Sequence, residues 1–91
     1  MGRGITIDGE HLEFSYPRTC SPDGFLGQGV RIGWTLALAK HEVRAFRVEF
    51  PNAGEAHEVL DVVLATGRDA RVEIDGGRVL VHVAKIEWRP R

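Results

Sequence analysis

The chain has 91 residues, 43% hydrophobic and 27% charged, with a formal net charge of -1 at neutral pH. That length makes a single domain over 1–91 with a small core, one that buries roughly 60–65% of its unfolded surface. The composition excludes a disordered chain, and the near-neutral charge excludes a global field that would draw nucleic acid or an acidic membrane.

Cys20 is the single cysteine, so no intrachain disulfide forms, as expected in a reducing compartment. The opening MGRGITIDGE lacks an apolar signal core, and no apolar run approaches membrane-spanning length. The expectation is a bacterial cytoplasmic protein.

Alternation predicts a first hairpin in GITIDGEHLEF, turning at Asp8-Gly9. The two-residue turn pairs Ile7 with Glu10 and Ile5 with Leu12. Ile5, Ile7, Leu12 and Phe14 then share one face. Residues 15–29, SYPRTCSPDGFLGQG, read as a long connection, and loops of this length in compact domains are often functional. Tyr16, Arg18, Cys20, Asp23, Phe25 and Gln28 are its candidate ligand- or partner-binding residues. Phe25-Leu26, set between glycines, forms either an apolar binding tip or a segment tucked into an Ω-like loop.

Ile32, Trp34, Leu36 and Leu38 alternate, as do Phe46, Val48 and Phe50. This predicts a second hairpin closed by Lys40-His41-Glu42, although the turn lacks the expected glycine. A helix across 34–43 is the competing reading; Thr35 and the β-branched and aromatic flanks weigh against it. Pro51 ends the strand. Asn52 with Glu55 makes a capping-box pattern, and Ala56, Val59, Leu60, Val63 and Leu64 form one helical stripe that closes at Gly67. A third hairpin turns at Gly76-Gly77 and pairs Ile74 with Val79, Val72 with Val81 and Ala70 with Val83.

The predicted fold is α+β, in the order ββ–loop–ββ–α–ββ. Its mostly antiparallel sheet, flat or curled into a partial barrel, packs on one amphipathic helix. The last strand, 78–88, overruns its hairpin partner and has a second apolar face: Leu80, His82, Ala84, Ile86 and Trp88. Either the N-terminal hairpin pairs with the overhang or a second copy does. The small core and the Trp88 anchor favour a homodimer through this strand.

No pattern carries chemistry. His11, His41, His57 and His82 stand apart, with no CxxC, HExxH or HxH spacing, so neither a metal nor a cofactor is expected. A catalytic Cys20 needs a base and an orienting group, and His11 with Asp23 lacks any signature spacing. Arg44 and Arg47 are candidates for a nucleic-acid face, but Glu42 and Glu49 interleave with them. The reading is therefore a non-enzymatic interaction module with a protein partner. The alternatives are a small enzyme or ligand-binding protein with a pocket near Cys20 and His11, and a nucleic-acid binder using Arg44 and Arg47.

Overall fold

The structure, a computed structural model, describes residues 4–87. Strands β1 (Gly4–Ile7) and β2 (Glu10–Glu13) form the first hairpin, with Ile5 opposite Leu12 and Ile7 opposite Glu10. Asp8 and Gly9 have φ of 50° and 80°, the pair of positive angles that matches strand twist in a two-residue turn. Helix α1 (Phe25–His41), strand β3 (Phe46–Phe50) and helix α2 (Ala53–Ala65) follow. Strands β4 (Ala70–Asp75) and β5 (Arg78–Val83) then form the expected hairpin, with Val72 opposite Val81.

The five strands form one antiparallel sheet in the order β2-β1-β3-β5-β4, not closed into a barrel. The fold is α+β. One face of the sheet presents Ile5, Ile7, Phe46, Val48, Phe50, Val81 and Val83 to Ala39 of α1 and to Ala56, Val59 and Val63 of α2. The helical layer therefore has two members, where the sequence pattern led to one.

The difference lies in residues 25–41. The expected strand over Ile32–Leu38 is helical, and the alternative helix at 34–43 is the better reading, starting earlier, at Phe25. A helix apolar on every side shows the same alternation as a strand, so period alone does not separate them. Leu36, Ala37, Leu38 and Ala39 are good helix formers, and Lys40 and His41 complement the negative end of the helix dipole. The glycine-free Lys40-His41-Glu42 is a helix end, which explains its poor fit as a hairpin turn. The inward face of β3 is as expected, but its partners are β1 and β5.

Helix α2 follows its sequence signals. The Asn52 side chain accepts from the Glu55 amide at 2.8 Å. Two buried arginines tie the layers together. Arg68 donates to the carbonyls of Ala84, Ala39, Glu42 and Arg44 at 2.6–3.0 Å, and its guanidinium lies over the Phe46 ring, 5.6 Å from the centroid. It joins the end of α1 to the chain after β5. Arg31 joins α1 to α2 through Glu55.

The last strand differs from expectation in one respect. β5 is interior to the sheet, paired with β3 on one edge and β4 on the other. Beyond it, the Ala84 amide donates to Asp69 at 2.9 Å and the Ile86 amide to Val43 at 2.8 Å. The overhang finds its partners within the chain. Trp88 lies outside the described residues. Among the described residues, no helix is long and apolar enough to cross a membrane.

Candidate binding cleft

Phe14 is buried and leads the chain off β2 under the helical layer, with the Tyr16 ring tilted against it at 6.2 Å between centroids. Two turns follow: the Cys20 amide donates to Pro17, and the Gly24 amide to Ser21, both at 3.0 Å. The loop then enters α1 against the helix itself. A Cβ on Gly27 would stand 2.4 Å from the Pro22 carbonyl oxygen, so only glycine admits this approach.

Four residues on, Arg31 is buried between the two helices. It makes a bidentate pair with Glu55 at 2.5 and 2.7 Å. It also donates to the Tyr16 hydroxyl at 3.1 Å and to the Pro22 carbonyl at 2.7 Å. The bond to Glu55 outweighs burial and holds the Arg31 guanidinium well above its ordinary pKa. The next turn places the Thr35 hydroxyl on the Arg31 carbonyl at 2.8 Å.

Above this floor the N-terminal ends of α1 and α2 converge on a cleft of roughly 370 Å³, lined by Asp23, Phe25, Gln28, Arg31, Asn52 and Glu55 among others. Gln28 bridges the helices by donating to Glu58 at 3.0 Å. Phe25 stands at the rim, 88% exposed, and Leu26 beside it is 64% exposed.

Of the six residues expected in a binding loop, three line the cleft: Asp23, Phe25 and Gln28. Phe25 and Gln28 belong to the first turn of α1, not to a loop. Tyr16 supports the floor through Arg31, Arg18 is exposed on the loop, and Cys20 is buried, its thiol facing the Ser21 carbonyl at 3.8 Å. The structure adds Arg31, Asn52 and Glu55. Asn52 and Glu55 were legible as caps, whereas nothing in the local sequence sets Arg31 apart. The available signal for its burial was the i, i+4 series Gly27, Arg31, Thr35, Ala39, the small and polar face on which α1 meets α2.

The other candidates lie elsewhere. His11 packs over Gly4 on the far side of the sheet, and no hydrogen bond joins it to Cys20. Leu80 is buried between Glu49 and Glu73 on the neighbouring strands. His82 contacts Glu73 at 2.8 Å, and the bond lowers the Glu73 pKa. Ala84 is half-buried and Ile86 exposed. Arg44 pairs with Asp8 and Glu42, and Arg47 with Glu73. Among the described residues, no group of three or more His, Cys, Asp or Glu side chains is placed to hold a metal ion.

The cleft floor is a set of matched charges and satisfied bonds; among the described residues no buried side-chain N or O lacks a partner. Such a floor holds the rim in place. No protein-family model, no curated protein and no solved structure matches this chain.

Proposed function

We propose that this protein is a non-enzymatic interaction module that takes an apolar side chain of a protein partner at the cleft between the N-terminal ends of α1 and α2. The observation that carries this reading is the exposure of Phe25 at the rim of a cleft whose polar floor is already satisfied. An apolar rim around a desolvated anchor point is the usual form of a binding hot spot. The rigid floor of Arg31, Glu55 and Tyr16 keeps the rim preorganised, which lowers the entropy lost on binding.

Selection of a random peptide library on the immobilised chain tests the proposal. The native chain should enrich sequences with a shared apolar anchor. Phe25→Ser should lose them while keeping its circular dichroism spectrum. Failure of the native chain to enrich any sequence, or unchanged selection by Phe25→Ser, rejects the reading.

A further inference from the structure

The two edges of the sheet are β2 and β4. β4 is the longer, and it runs from Ala70 to Asp75 without the proline or bulge that would blunt an edge. The two-residue turn at Gly76-Gly77 makes Asp75 and Arg78 the hydrogen-bonded closing pair, so Glu73 and Arg71 also bond toward β5. The N–H and C=O groups of Ala70, Val72 and Ile74 therefore point to the open side of β4. Among the described residues no strand stands there.

The side chains of the same three residues face the helical layer, and their cover is incomplete. Ile74 is 66% exposed and Val72 is half-buried. Helix α2 lies over β4 and β5. It turns Glu55 and Glu58 toward α1, where Arg31 and Gln28 bond them. At 100° per residue, Leu60 and Leu64 fall on the other side of α2, the side of β4. Leu64 is 45% exposed. The free strand edge and the Leu60–Leu64 stripe thus form one continuous surface.

We propose that this surface is a homodimer interface, in which β4 of a second copy adds antiparallel about a twofold axis at Val72. The charge pattern selects both the occupant and the register. An axis at Val72 sets Val72 against Val72, Ala70 against Ile74 and Arg71 against Glu73, so the strand is complementary to its own copy. The free N–H and C=O groups of Ala70, Val72 and Ile74 all find partners. An axis at Arg71 or at Glu73 would set that charge against itself. The nearest like charges in the favoured register, Asp75 and Asp69, meet only past the start of β4. Arg71 keeps its bond to its own Glu73 at 3.0 Å, and at 68% exposure it has donors left for a second carboxylate.

Joining two sheets at β4 also sets the two α2 helices two strand spacings apart, about 10 Å, the ordinary distance of packed helices. Leu60 and Leu64 then face the same residues of the other helix. Strand pair and helix pair together bury on the order of 600 Å² per copy, the lower end of specific interfaces, so the dimer should dissociate on dilution in the micromolar range.

Light scattering over a dilution series, with amide exchange followed by NMR, tests the proposal. The native chain should double its mass as concentration rises. The amides of Val72 and Ile74, free in the monomer, should exchange about tenfold more slowly, or slower still, in the dimer. Ile74→Lys puts a strand-blocking charge on the edge, and Leu64→Glu puts a charge on the helix stripe; both should stay monomeric with a native circular dichroism spectrum. A native chain that is monomeric to its solubility limit overturns the proposal. So does a dimer retained by either variant, or a native dimer whose Val72 and Ile74 amides remain unprotected.

Discussion

Arg31 shows how much one side chain decides here. It is 3% exposed, in a helix that reads as apolar, and its partners come from α2 and from the connection that precedes α1. A buried ion pair adds little net stability over a well-packed apolar pair, whereas an unpaired buried charge is strongly destabilising. Arg31→Met and Glu55→Met should each cost about 3–5 kcal/mol in urea unfolding. The double variant should be more stable than either single one, and additive losses would show that the pair does not act as a unit. The acid limb of stability involves half-buried carboxylates at the surface. Hydrogen bonds from the Arg44 side chain and backbone hold the Glu42 carboxyl down to about 2, from an ordinary 4.5. A folded value below the unfolded one means that its contribution is complete above 4.5 and is lost as pH falls toward about 2. Glu73, lowered by its bond to His82, acts in the same direction. Urea midpoints should fall across that window, and Glu42→Gln should flatten the slope.

Among the elements, α1 was the hardest to read and is the most informative. The two terminal hairpins and α2 each carry local punctuation: Asp8-Gly9, Gly76-Gly77 and the Asn52–Glu55 cap. These signals act within a few residues, so they survive any tertiary context. α1 has no comparable start signal. Its N-cap is Gly24, without a side-chain cap bond, and its first turn carries no acid. What holds its beginning is the loop pressed on Gly27 and the Arg31 bonds, contacts that span different elements. The helix glycines should therefore separate by role. Gly27→Ala drives a Cβ into the Pro22 carbonyl and should destabilise by about 1–3 kcal/mol, with loss of peptide selection at the cleft. Gly29→Ala meets open space and should stabilise the fold by about 0.5–1 kcal/mol. Thermal melts of both variants at low concentration check the contrast.

For the whole molecule, the position of β5 is decisive. The last strand among the described residues pairs on both edges, so the sheet is complete only after the C-terminal hairpin inserts beside β3. A fragment ending at Gly67 lacks that hairpin and exposes the inward face of β3. It should be disordered by circular dichroism and by amide proton dispersion; a folded fragment would show that β1, β2, β3 and the helices suffice. The parity of the strands was legible in the chain. It set both hairpin registers, the inward faces of β1, β3, β4 and β5, and the α+β class, because strand side chains alternate whatever their neighbours are. The order of strands was not, because edge pairing is decided by backbone hydrogen bonds between segments far apart in sequence. That is why the overhang after β5 looked like an open edge and proved to be bonded to Asp69 and Val43. The same limit applied to the cleft. Asp23, Phe25 and Gln28 stood out as unusual residues in a long connection, yet the buried Arg31–Glu55 floor appears only when α1 and α2 pack together. Sequence alone determined the local turns, the caps and the faces, which depend on near neighbours. The tertiary structure decided which faces meet, and so left β4 at one edge of the sheet.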